Sequence, residues 1–177
     1  AALAELLNAG ADTVEIARNT PAILPEGERR LATILVTHIH DYDAIVESAS
    51  PTELETLQEQ MHQLIRDCVA RHGGVVNEAS GAEIVSLFGV PTTYEDDVVR
   101  AVRAARAMAM AASSQGALQS GIDSGYIVVQ PSTTDGEGYR LVGSALHTAT
   151  RIAEDAGPSE VLVTQSCLRS ILPFYAV

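Results

Sequence analysis

The sequence has no tryptophan, two phenylalanines and five tyrosines, so its core must be filled by Val, Ile, Leu and Ala. Cysteine is as scarce. Cys68 and Cys167 are the only two and neither belongs to a CxxC pair, which argues against a disulfide framework and a cysteine-based zinc site. Cationic residues are few, eleven against twenty-three acidic ones, for a formal charge of −12. A surface of that sign disfavours nucleic acid and anionic membrane, and it works against any polyanion that lacks a local basic pocket. The alanine-rich stretch 104–112 is too short to span a bilayer and is preceded and interrupted by Arg103 and Arg106. The start carries no basic segment followed by an apolar run and a cleavage site, so the expected location is the cytoplasm. The abrupt beginning and end predict a fragment of something longer.

What is present is one globular domain's worth of chain: 177 residues, 46% of them hydrophobic and 19% charged. Residues 1–30 read as an N-terminal helix and linker, with a short helix over 3–7, a second brief segment over 14–17, and prolines at Pro21 and Pro25. The basic pair Arg29-Arg30 leads into a β-branched strand over 31–39. Ser50-Pro51-Thr52-Glu53 opens a long helix, with serine at the N-cap, proline at the first helical position and acid in the first turn. Leu57, Met61, Leu64, Ile65 and Cys68 recur on one face of it, and Gly73-Gly74 stops it. Residues 75–79 and 83–88 flank a tight Ser80-Gly81 turn and predict a hairpin. A second helix follows over about 95–113, then a strand-pair region over 118–129 and a polar loop over 132–138. A strand over 139–142, a helix from near Ala145, a strand over 160–164 and a short helix from Ser166 complete the order. The succession βαββαβ, with extra elements appended, predicts an α+β, ferredoxin-like core.

Several runs carry a resemblance. They are Arg71-His72-Gly73-Gly74-Val75-Val76, Ser86-Leu87-Phe88-Gly89-Val90-Pro91 and Tyr94-Glu95-Asp96-Asp97-Val98-Val99-Arg100-Ala101. Further along come Ser120-Gly121-Ile122-Asp123-Ser124-Gly125, Tyr139-Arg140-Leu141-Val142-Gly143, Ala149-Thr150-Arg151-Ile152 and Gly157-Pro158-Ser159-Glu160-Val161. In this order and spacing the chain resembles bacterial class III adenylate/guanylate (nucleotidyl) cyclase catalytic domains over roughly residues 29–172. The resemblance implies a domain over 31–177 that stops before the family's last strands, where a phosphate-binding lysine lies.

The family's chemistry, carried over position by position, implies a degenerate site. Two aspartates would hold two metal ions that activate the ribose 3′-hydroxyl and neutralise the triphosphate. Those positions fall at His38 and Ala82, with His40 a further candidate ligand. The purine-selecting positions fall at Glu78 and Arg140, and the transition-state pair falls at His147 and Arg151, of which Arg151 alone is retained. Asp41 and Asp43 stand where the family wraps the triphosphate with small residues. Glu78 and Arg140 either close on each other as an ion pair or read a guanine edge; the ion pair is the expectation.

The reading that follows is a cyclase homology domain in signal transduction that is inactive alone and acts as a dimerising regulatory module. Its expected partner is a second copy or a second cyclase-like domain, beside other domains of a larger chain, with neither nucleic acid nor membrane. One alternative is an active cyclase, with Mg²⁺ or Mn²⁺ as cofactor and an atypical metal site or competent partner. Another is a sensor that binds a nucleotide without turnover, or a transition metal or a proton where His38 of one chain meets His147 of the other. Against the last stands the plain reading of these histidines as hydrogen-bonded or surface groups.

Overall fold

A computed structural model describes residues 27–112, 116–131 and 138–174. The helix and segment expected at 1–26 and most of the polar loop after 131 lie outside the described residues. The strands are β1 (Glu28–Ile39), β2 (Val75–Ser80), β3 (Glu83–Phe88), β4 (Leu118–Pro131), β5 (Tyr139–Val142) and β6 (Val161–Val163). The helices are α1 (Tyr42–Ser48), α2 (Pro51–Arg71), α3 (Asp97–Ala112), α4 (Ser144–Asp155) and α5 (Gln165–Ile171).

The sheet runs β2-β3-β1-β4-β5, and β6 pairs with β4 off this path. Its neighbours are antiparallel except β6 against β4. The order of the first four strands is that of a ferredoxin-like βαββαβ unit, as the succession of elements predicts. β1 is central and is buried on both faces. Ala32, Ile34 and Val36 belong to one cluster, and Leu35 and Ile39 to the other. Two-sided burial explains why this strand reads as a nearly continuous apolar run rather than an alternation.

One layer is α2 and α3, which cover Leu35, Ile84, Phe88 and Ile122 with Met61, Ile65, Val99 and Met108. The other is α4, which applies Ala145, Ala149 and Ala153 to Ile34, Val36, Val85 and Val129. The small side chains let α4 approach the sheet backbone closely. A Cβ on Gly121 would stand 2.3 Å from the Ala149 carbonyl oxygen and 2.5 Å from the Ala153 nitrogen, so glycine is what that crossing accepts.

Local signals set the ends of the elements. At the start of α2 the Ser50 hydroxyl accepts from the Glu53 N–H while the Glu53 carboxylate accepts from the Ser50 N–H, a complete capping box. At α3 the Asp97 carboxylate accepts from the Tyr94 N–H at 2.8 Å. Asp97 thus ties the turn before α3 back to the helix, and it is 4% exposed. One reading is corrected. The expected strand pair at 118–129 is one 14-residue strand, β4, because its Gly121 and Gly125 keep strand pairing with β1 instead of forming a turn. The segment after β1 folds into α1, entered through Asp41 at φ 53, a conformation Asp tolerates better than most residues.

Candidate functional site

β1 ends beside the β2–β3 turn, and this junction builds the first half of the candidate site. Ser80 pairs with Glu83 across a two-residue turn of Gly81 and Ala82, one residue later than expected. Of these two residues Gly81 alone has positive φ, 55°, the pattern of a II′ hairpin turn. The Ile39 N–H donates to the Ala82 carbonyl at 2.9 Å, which places Ala82 next to His38, the two positions that the resemblance assigns to metal ligands. His38 Nε2 donates to Glu83 Oε2 at 2.9 Å. His40 turns to β4 instead, donating from Nδ1 to Gln119 Oε1 at 2.7 Å, and Gln119 in turn donates to the Ala153 carbonyl at 3.0 Å. The two histidines are thus tied to opposite neighbours of β1 and do not converge.

Around them opens a depression of about 730 Å³ lined by His38, His40, Ala82 and five carboxylates, Asp41, Asp43, Glu47, Glu83 and Glu154. Among the described residues no lysine or arginine lines it, and all eleven cationic side chains of the sequence are arginine. A triphosphate entering here would meet like charge at several points.

The residues present do not fit a two-metal centre. Ala82 has no ligating side chain, and the imidazole of His38 is engaged by Glu83. Among the described residues no group of three His, Cys, Asp or Glu side chains is placed to hold an ion, whereas Mg²⁺ demands near-octahedral oxygen ligation.

The second half of the site lies where β2 and β5 meet. Asn77 Nδ2 donates to the Tyr139 carbonyl at 2.9 Å, and its Oδ1 accepts from the Tyr139 N–H at 2.7 Å. This clasp brings the neighbours Glu78 and Arg140 to one corner of the fold. Both are exposed, and among the described residues no ion pair joins them, which overturns the expected closed pair. A bulge accounts for the exposure of Glu78. Val76 pairs with Ser86 but Glu78 pairs with Val85, so β2 steps two residues while β3 steps one. Val76 and Ala79 thereby pack under α2 and α3, and Glu78 is carried to the other face.

The positions that the resemblance assigns to the transition state sit on α4. His147 and Arg151 are one turn apart and both exposed, on the side away from the buried Ala145, Ala149 and Ala153. Neither lines the acidic depression. Within one chain His147 therefore adds nothing to the His38 position.

Sequence reasoning passed over Asn77, Glu83 and Gln119. Asn77 had a signal, since asparagine is depleted in strands and stood inside a predicted one. Glu83 and Gln119 had none, because their partners come from other strands.

No protein-family model matches the sequence. An uncharacterized protein of Mycobacterium tuberculosis is 28% identical over 149 residues, covering 81% of this chain and 26% of that protein; the chain spans about a quarter of this curated relative's length. Among solved structures, the guanylyl cyclase Cya2 superposes with a TM-score of 0.77 at 25% identity, covering 82% of this chain and 80% of that one. The adenylyl cyclase CyaB from P. aeruginosa gives 0.79 at 20% identity, with 84% of each chain covered. The non-canonical dimeric guanylyl cyclase domain of the RhoGC fusion protein of the fungus Blastocladiella emersonii gives 0.78 at 18% identity, covering 85% and 88%. By these superpositions the chain has the fold of class III adenylyl/guanylyl cyclase catalytic domains and is cyclase-like in structure.

Proposed function

We propose that this domain serves intracellular signalling without two-metal turnover, as a cyclase-like module that pairs with a second copy or a second cyclase-like domain. The observation that carries this reading is the junction of β1 with the hairpin turn. Where catalysis needs two carboxylates, the chain has an alanine and an imidazole engaged by Glu83, inside a depression whose carboxylates repel phosphate. Removing both ligands removes activation of the 3′-hydroxyl and neutralisation of the triphosphate together. The test is product formation by the purified protein at high concentration with Mn²⁺-ATP and with Mn²⁺-GTP, beside sedimentation analysis and an Arg151→Ala control. We expect no product from a folded dimer. Product that disappears in the Arg151→Ala variant would overturn the reading.

A second reading is favoured by the β2–β5 corner: recognition of a guanine base without turnover. The Glu78 carboxylate is exposed and unengaged by Arg140, and a carboxylate accepts well from the N1–H and N2–H donors of guanine, whereas adenine offers an acceptor at N1. Arg140, next in sequence to the clasped Tyr139, supplies donors for the remaining purine acceptors. Competition of GTP and ATP against a fluorescent GTP analogue tests this; equal displacement by both would count against it.

A further inference from the structure

Asn77 does something at the β2–β5 corner that its neighbours cannot. It is the residue that the β2 ladder passes over, between the pairs Val76–Ser86 and Glu78–Val85. β2 and β5 stand at opposite ends of the five-strand path, so the ladder itself never joins them. The amide of Asn77 makes the connection by engaging both polar backbone groups of Tyr139, at 2.9 Å and 2.7 Å. One side chain thus imitates a β-bridge across the open ends of the sheet. The strands are close enough there that a Cβ on Gly138 (φ 143) would lie 2.7 Å from the Asn77 carbonyl oxygen. Each partner of the clasp is followed directly by a member of the exposed pair, Glu78 after Asn77 and Arg140 after Tyr139.

We propose that Asn77 is a positioning residue whose clasp on Tyr139 fixes the spacing of Glu78 and Arg140, and so sets the preference of this corner for guanine over adenine. The inference rests on the second reading above, in which Glu78 and Arg140 face a purine. A planar base edge is discriminated only when donors and acceptors are held in register. Two side chains on strands that share no ladder have no such register unless something bridges the strands. Asn77 supplies the bridge without occupying the place of the base. Aspartate at this position would keep the acceptor for the Tyr139 N–H but set a carboxylate oxygen against the Tyr139 carbonyl.

The experiment measures GTP and ATP competition against a fluorescent GTP analogue for the full chain, together with amide hydrogen exchange at Tyr139. Compared are the wild type, Asn77→Ala, Asn77→Asp, Gly138→Ala and Glu78→Gln. Asn77→Ala is expected to speed exchange at Tyr139 and to cut the GTP-over-ATP preference about tenfold, the scale of losing a pair of neutral hydrogen bonds. Asn77→Asp should lose the preference at least as far, because its carboxylate repels the Tyr139 carbonyl. Gly138→Ala forces the same junction apart without touching the amide, so it decides the matter should Asn77→Ala fail to fold. A wild type that prefers GTP, loses the preference in Glu78→Gln and keeps it in Asn77→Ala and Gly138→Ala would overturn the clasp inference and leave the guanine reading standing. A wild type with no preference, or a Glu78→Gln variant that changes nothing, would overturn the guanine reading and the clasp inference with it.

Discussion

Asp97 is 4% exposed, and burial is the main cause that pushes its carboxyl above the ordinary value of 3.8. The Tyr94 N–H and the Arg100 guanidinium pull it back down, and Asp96 adds a smaller push upward. Its Oδ1 and Arg100 Nη1 are both buried without a hydrogen-bond partner and stand 3.6 Å apart, too long to offset the lost hydration fully. Below 3.8 the group is neutral in both folded and unfolded chains. As pH rises through that value the unfolded chain releases its proton first, so the native state loses stability until pH passes the raised native value. Asp97→Asn keeps an acceptor for the Tyr94 N–H and abolishes the titration. Its Tm relative to wild type is expected to improve as pH rises through 3.8 and to level off once pH passes the raised native value; a gap that does not change with pH would count against this. Gly121→Ala tests packing at the same scale. The added methyl meets backbone atoms at 2.3 and 2.5 Å, which cannot rotate away, so urea denaturation should show a loss of about 1–3 kcal/mol or more.

Among elements, α2 shows how far a terminus can be read and how much it contributes. Its capping box closes with Ser50 and Glu53 each satisfying the other's N–H, and Ser50→Ala should cost about 1 kcal/mol by chemical denaturation, with exchange accelerated in the first turn only. A loss spread over the whole helix would mean that Ser50 acts through tertiary packing instead. This signal was legible because it is written within four consecutive residues. The same holds for the apolar run of β1 and the glycine turn between β2 and β3. β4 was misread because Gly121 and Gly125 look like punctuation, while their role is to admit α4. Glycine that opens space for another element is indistinguishable in sequence from glycine that turns the chain. The bulge at Asn77 was hidden for a related reason. It exists only relative to β3, and the clasp that exploits it reaches sixty-two positions along the chain. Of the candidate site, the positions His38, Ala82, Glu78 and Arg140 came from the resemblance; the bonds of His38 to Glu83 and His40 to Gln119 came only with the fold.

For the whole molecule the question is whether the scaffold could hold metal were carboxylates supplied at the two positions that the resemblance assigns to metal ligands. The net charge of −12 is concentrated in part around the junction of β1 with the hairpin, so cations already meet a favourable field there, and what is missing is a converging ligand set. The double substitution His38→Asp with Ala82→Asp supplies two carboxylates at adjacent points, since Ile39 N–H and the Ala82 carbonyl are joined at 2.9 Å. In the absence of metal these carboxylates face Glu83 and one another, and the like charges should lower Tm relative to wild type. Adding Mn²⁺ should reverse this in the variant alone. Binding to the native state at a hundredfold over Kd contributes about 2.7 kcal/mol, which for a domain of this size raises Tm by about 5–10 °C. The wild type, with an imidazole held by Glu83 and no side chain at Ala82, should show no comparable shift. Equal shifts in both proteins would mean that the surrounding carboxylates bind the ion without the two substituted positions, and the account of this junction as a lost metal centre would fail. A shift confined to the variant would locate the loss of two-metal chemistry in two side chains and leave the fold around them intact.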